Sequence, residues 1–322
     1  MSDTAKTLEQ RGSMVGRISL KSSLACFLAA FIWGTAFVAQ KVGADAMAPI
    51  VFNTLRSILA FFTLLPLTLY RGHRRREDRK AGKVTAPYSK RDTVIGGIIS
   101  GLFLFLASYL QQASIATVDI GKAGFLTATY IVLVPLINVV LTRRSSLKIW
   151  VSVAIALAGL YFLSISGTYR VERADVQLLV CALFFSLQIM TIDHFSEKAD
   201  MIEFSCIQFL VVFLIGLVPT IRSLTNEMPA LSAGSVVSLL YAGVFSSGIA
   251  YTLQAVGQKD ADPTIASLIL SLESVISAIS GFFLLHQVLT HREVLGCVLM
   301  AAAIVLVQLP SGRAKPVEET TN

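Results

Sequence analysis

Arg56 and Glu273 are ionisable side chains set inside long apolar runs, PIVFNTLRSILAFF and IASLILSLESVISAIS. An ionisable group in such a run is costly to bury and marks a cavity, a pathway or a partner. Glu273 lies about ten residues into its run, so roughly 15 Å along a helix that rises 1.5 Å per residue. Its carboxyl suits a substrate amine, an exchangeable proton or one end of a gating pair. A hydrogen bond locking two helices is its plainer role. Arg56 lies roughly 10 Å deep, and its planar guanidinium fork grips a carboxylate bidentately. Asn53, at i−3, shares its face. Arg56 suits a pairing or packing role equally well.

Uncharged candidates surround these two. Tyr109, Gln112, Tyr251 and Gln254 put phenols and amides near helix ends, as polar rims or gates. A tyrosine belt at the headgroups is the simpler account of the tyrosines. Lys122, in GKAG, opens a helix whose N-terminus attracts anions, although a snorkelling interfacial lysine is ordinary. Trp33 and Tyr130 could form a stacking or cation–π wall, with Gln188 and Asn138 as further mid-run polar groups. Pro135 removes a backbone hydrogen bond inside its run and should kink the helix there, so it joins Tyr109 and Tyr251 as a gating candidate. Enzyme signatures are absent: no Walker A spacing surrounds Gly121-Lys122, and neither HExxH nor G-x-S-x-G occurs. Four histidines without an acidic cluster give no metal site, and no cofactor is expected.

The elements that position these groups follow from composition. Hydrophobic residues make up 54% and charged residues 15% of 322, against about 25% charged in ordinary soluble domains. That much apolar surface suits a bilayer. The net charge of +7 sits in short segments between apolar runs, without the interleaved aromatics that would stack nucleic acid. Cys26, Cys181, Cys206 and Cys297 stand singly in apolar runs and read as small core residues. Runs long enough to span are expected at about 24–42, 49–70, 94–114, 123–141, 149–166, 175–191, 202–219, 234–256, 263–285 and 294–309. Pro49 and Pro263 open helices at the first turn, while Pro66, Pro219 and Pro310 sit near ends. With the N-terminus in the cytoplasm, inside segments hold 20 of the 27 basic residues, nine of them between Arg71 and Arg91. This excess places both termini in the cytoplasm, and the Arg71–Arg91 loop is basic enough to contact anionic lipid.

The chain also repeats itself. Tyr109, Gln112 and Ala113 match Tyr251, Gln254 and Ala255 at a separation of 142, Asp119 and Ala123 match Asp262 and Ala266 at 143, and Leu141 and Ser146 match Leu285 and Thr290 at 144. Five spans per copy is an odd number, so the second copy inserts upside down, an arrangement found in many secondary transporters. The expected architecture is an all-α integral membrane protein of ten transmembrane helices in two inverted five-helix repeats. A tail at 1–22 leads to the first repeat, 23–168, with its basic loop at 71–93. The second repeat covers 174–309, and a tail follows at 310–322.

These features resemble the drug/metabolite transporter superfamily, EamA type, from Ala29-Ala30-Phe31-Ile32-Trp33-Gly34 through Leu309. Ala123-Gly124-Phe125-Leu126 and Ser267-Leu268-Ile269-Leu270-Ser271-Leu272-Glu273 are its most family-like pieces, and Arg56 matches a common family arginine. Where such proteins often read Leu-Gly-Glu, this chain has Leu141-Thr142-Arg143 and Leu285-His286-Gln287. The resemblance implies a secondary transporter, an exporter of small metabolites such as amino acids, in the inner or plasma membrane. Its implied partners are a small-molecule substrate, lipid and coupling protons. The rival readings are a drug or nucleotide-linked metabolite carrier, and a membrane scaffold without cargo.

Overall fold

The computed structural model describes residues 19–83, 88–118, 120–142, 146–164, 172–226, 228–285 and 290–309. Asp119, Arg143, His286, Gln287 and the tail 310–322 lie outside the described residues. Every element within them is helical: α1 (Leu20–Ala46), α2 (Pro49–Lys80), α3 (Lys90–Ile115), α4 (Ile120–Ala128), α5 (Tyr130–Thr142), α6 (Leu147–Ser164), α7 (Arg173–Ser196), α8 (Met201–Asn226), α9 (Ala233–Leu240), a π-helical segment (Tyr241–Ala250), α10 (Tyr251–Gln258), α11 (Pro263–Leu270), α12 (Glu273–Leu285) and α13 (His291–Gln308). Among the described residues, nine helical spans are long and apolar enough to cross a membrane, and α6 adds a shorter apolar helix.

Helix starts follow the sequence signals. Pro49 and Pro263 open α2 and α11, and the side chains of Ser89, Ser232 and Thr290 cap α3, α9 and α13. The basic loop expected from residue 71 begins instead as a helix. α2 continues to Lys80, carried by helix-favouring Arg, Glu and Lys and by an i,i+4 contact between His73 and Glu77. Pro66 therefore lies inside α2 rather than near its end, and Pro219 lies inside α8.

Pro135, where a kink is expected, sits within α5, and the fourth span is interrupted six residues earlier, at Thr129. The ninth span breaks at Ser271–Leu272 although α12 contains no proline, so proline is not what both breaks share. They share a hydroxyl that turns back on its own chain. Thr129 Oγ1 donates to the Leu126 carbonyl at 2.6 Å, and Ser271 Oγ to the Leu268 carbonyl at 2.7 Å, closing the helix end.

Packing inverts the arrangement of a soluble protein. Leu24, Phe31, Leu102, Leu214 and Phe283 are exposed, whereas Gln40, Asn53, Arg56, Gln112, Gln188, Gln208, Gln254 and Glu273 are buried. Helices pack in exchangeable sets. α6 lies along α13, α2 along α8, and α4–α5 against α11–α12, while α3 packs on α7 and α8 much as the π-helical segment and α10 pack on α1 and α2. Glycines set the closest approaches. A Cβ on Gly101 would lie 2.7 Å from Val211 Cβ and 2.8 Å from the Gln208 carbonyl; on Gly243 it would lie 2.6 Å from Leu59 Cβ and 3.2 Å from the Arg56 carbonyl. The two contacts are the same contact made twice.

Gly101→Leu and Gly243→Leu should each destabilise the protein by about 1–3 kcal/mol through overpacking, seen as a lower melting midpoint in detergent. Gly72→Ala, with nothing within 4 Å of the added carbon, should leave the midpoint unchanged or slightly higher. Equal midpoints in all three variants would contradict the close approach.

Candidate functional site

The two broken spans deliver their first functional residues directly. Tyr130 begins α5 and Glu273 begins α12, each immediately after its break. The Tyr130 hydroxyl donates to Glu273 Oε1 at 3.0 Å. The carboxyl therefore sits in the first turn of a 13-residue helix. Nearby, Ser274 Oγ donates to the Gly124 carbonyl at 3.2 Å, holding α12 to α4.

Around this pair lies a cleft lined by Trp33, Arg56, Tyr130, Gln188, Tyr251, Gln254 and Glu273, seven of the residues expected from sequence. Arg56 is buried, and its Nε donates to Asn53 Oδ1 at 3.1 Å and its Nη1 to Gln40 Oε1 at 3.4 Å. Asn53 thus orients the guanidinium instead of lining the cleft. Gln188 and Gln254 exchange two amide hydrogen bonds at 3.3 and 3.2 Å. Trp33 and Tyr251 form an aromatic wall with ring centroids 4.6 Å apart, and Phe209 backs Tyr251 at 5.5 Å. The indole N–H of Trp33 donates to the Ser246 carbonyl in the π-helical segment at 3.0 Å, fixing the ring.

Four expected residues stand elsewhere. Gln112 is fully buried behind the cleft, its amide donating to the Gln40 carbonyl at 3.0 Å. Tyr109 is exposed on the outer face and stacks on Phe105, so it is no counterpart of buried Tyr251. Lys122 lies outside the cleft lining and pairs with Asp175, 2.8 Å from Oδ1. Pro135 lies in α5 beyond the lining.

Gln40 and Gln111 line the cleft and were not singled out in the sequence. Gln40 stands seven residues after Trp33 on α1, two helical turns along one face. Gln111 was overlooked because the repeat offset of 142 points to Gln112. Gly101 and Gly243 keep that offset, but Gln111 with Gln254 and Tyr130 with Glu273 stand at 143. One extra residue therefore enters between Gly243 and Gln254, within the stretch that holds the π-helical segment. A π-turn closes on i→i+5 rather than i→i+4, so it absorbs that residue without unwinding the helix. A one-residue slip rotates a side chain by about 100°, enough to move it off the cleft.

Gln254→Leu should cost about 1–3 kcal/mol by stranding the buried amide of Gln188. Adding Gln188→Leu should restore much of that loss. Simple additivity of the two losses in a double-mutant thermal-melt cycle would show that the amides do not act as a pair.

The model of the EamA-like transporter family matches this chain twice, over residues 20–165 and 173–309. An "uncharacterized transporter" of Archaeoglobus fulgidus is 28% identical over 303 residues, covering 94% of this chain and 90% of that protein. The uncharacterized inner membrane transporter YedA of Escherichia coli K12 is 24% identical over 295 residues, covering 88% and 90%. A solved crystal structure aligns with a TM-score of 0.72 at 17% identity over 89% of this chain and 98% of that one, a likeness of fold. Family members are transporters rather than enzymes. On the two family matches, which together span nearly its whole length, this multi-pass membrane chain belongs to the EamA-like transporter family.

Proposed function

We propose that the protein is a secondary transporter, exporting small zwitterionic metabolites such as amino acids by alternating access between two inverted five-helix repeats. The observation that carries this reading is a contrast in charge pairing. Away from the cleft, Asp175 meets Lys122 and Asp200 meets Arg71 and Arg75. In the cleft, the hydrogen-bond partners described for Arg56 are the amide oxygens of Asn53 and Gln40, and the partner described for Glu273 is a phenol. A buried charge held only by neutral groups is costly. A substrate carboxylate at Arg56 and an amine at Glu273 would offset that cost, with the Trp33–Tyr251 wall enclosing the side chain. When the amine leaves, a proton on Glu273 replaces its charge, which provides a route to proton coupling.

Counting the shorter apolar α6 with the nine longer spans supports a total of ten. The exchangeable helix contacts and the twin glycine contacts support the inverted arrangement. The excess of basic residues in the inside segments supports cytoplasmic termini, and the inner membrane transporter of E. coli supports the inner membrane. The cleft offers about 30 Å³ of free space, room for a water or two. Substrate therefore enters only as the helices rock apart, with the helix breaks and the π-helical segment as natural hinges.

Proteoliposome flux of a radiolabelled amino-acid mixture, with and without a pH gradient, tests the reading. Native protein should show flux that responds to the gradient, and Glu273→Gln should lose both, flux falling about tenfold or more. Arg56→Lys keeps the charge without the fork and should raise KM more than it lowers kcat. Unchanged flux in a normally inserted Glu273→Gln protein would remove Glu273 from the mechanism. No amino-acid flux from inserted native protein would favour drug-like or nucleotide-linked cargo, or a scaffold.

A further inference from the structure

The basic end of the bundle carries a second concavity, larger than the central cleft and separate from it. Its volume is about 540 Å³, and Arg71, Arg75, Arg76, Arg79 and Lys90 line it together with Asp200 and Glu203. The acidic residues are committed. Asp200 is buried and caps α8, accepting from the backbone N–H groups of Ile202 and Glu203 at 3.0 and 3.1 Å, while its other oxygen receives Arg71 at 3.3 Å and also Arg75. Its own backbone N–H donates to Thr93 Oγ1 at 3.0 Å, which ties α8 to α3. Glu203 pairs with Lys90. Arg75 is further fixed over the Tyr88 ring, 4.1 Å from its centroid.

Five cations thus face two carboxylates, and three positive charges are left without a match. Neither Arg76 nor Arg79 has an ion pair among the described residues. Guanidinium forks held by an anchored carboxylate and an aromatic face are pre-organised donors for tetrahedral, multiply charged oxyanions. The depth is informative too. α2 has 32 residues, so it runs about 48 Å against a hydrocarbon core of about 30 Å. Starting from Pro49, the hydrocarbon ends near Leu69, and the concavity is lined from Thr68 and Leu69 outward to Arg79. It begins where acyl chains stop and headgroups start.

We propose that this concavity is a binding site for a phosphate group, presented either by an anionic phospholipid headgroup or by a soluble phosphorylated metabolite. Arg76 and Arg79 are its free ligands, and Arg71, Arg75 and Lys90 complete the positive wall. The site is independent of the transport cleft and does not rest on the substrate proposed for it.

The test uses the full chain in nanodiscs and reads its melting midpoint in two arms. One arm raises the phosphatidylglycerol content of phosphatidylcholine discs; the other adds inorganic pyrophosphate to discs of phosphatidylcholine alone. Native protein should gain about 3 °C or more in a saturable way in one arm. Gain from phosphatidylglycerol alone assigns the site to a lipid, whereas gain from pyrophosphate assigns it to a soluble phosphate. The variant R76Q/R79Q should lose the gain, and R74Q/K80Q, which removes two charges from α2 outside the lining, should keep it. If R76Q/R79Q does not insert, the single exchange R79Q in the last turn of α2 is read in the same arms. No gain in either arm for native protein, or equal loss in both double variants, overturns the proposal.

Discussion

A helix that stops inside a bilayer exposes backbone groups that no water can satisfy, and this protein stops two helices there. The hydrogen bond from Tyr130 to Glu273 joins the places where they restart. Thr129 and Ser271 close the preceding ends with their own hydroxyls, and Ser274 stitches α12 to the Gly124 carbonyl. Backbone bonds also cross both points, Val132 N–H reaching the Thr129 carbonyl at 3.0 Å and Ser274 N–H the Ser271 carbonyl at 3.1 Å, so the breaks are stable features. They set Tyr130 and Glu273 at the two restarts, where the phenol meets the carboxyl. The cleft exists because the chain can be interrupted safely at these two points.

Everything else around the cleft serves to keep polar groups occupied and in place. Each amide of the Gln188–Gln254 pair satisfies the other, Asn53 and Gln40 hold the guanidinium of Arg56, and the π-helical segment offers the Ser246 carbonyl to Trp33. The glycine contacts at Gly101 and Gly243 let α3 and its counterpart pack tightly enough to bring these groups together. Such buried networks are exacting. Each hydrogen bond contributes about 1 kcal/mol net, but an abandoned partner costs more than that. The same logic explains the ion pairs outside the cleft, where Lys122 meets Asp175 and where Arg71 and Arg75 meet Asp200.

The sequence made the spans and most of the cleft legible because the bilayer imposes a blunt code. Long apolar runs mark helices, and an Arg or Glu inside one is conspicuous, as Arg56 and Glu273 were. Three features escaped for physical reasons. The break at Thr129 has no proline or glycine to mark it, and its hydroxyl bond to the Leu126 carbonyl is of a kind also made within unbroken helices, as at Ser267. The helical extension of α2 reads as a loop because its residues are charged, although they are good helix formers. Gln111 was missed by one position, since a single inserted residue in a helix leaves identity matches such as Tyr109 with Tyr251 intact while rotating the side chains. Hydrophobic pattern fixes where a helix lies far better than it fixes which side chain faces inward.

The extra residue has a further meaning. Arg56 and Gln208 occupy matching positions against Gly243 and Gly101, as Tyr130 and Glu273 do at the two breaks. The scaffold is thus repeated, but the chemistry on it is not: one copy contributes a guanidinium and a phenol, the other an amide and a carboxyl. Among the described residues the π-helical segment has no counterpart in α3, and it precedes Gln254, which pairs with Gln188. A cleft built from two identical copies would present the same groups to a ligand from either side. Here the guanidinium of Arg56 and the carboxyl of Glu273 come from different copies, so on the proposed function a zwitterion held by both would bridge the two halves.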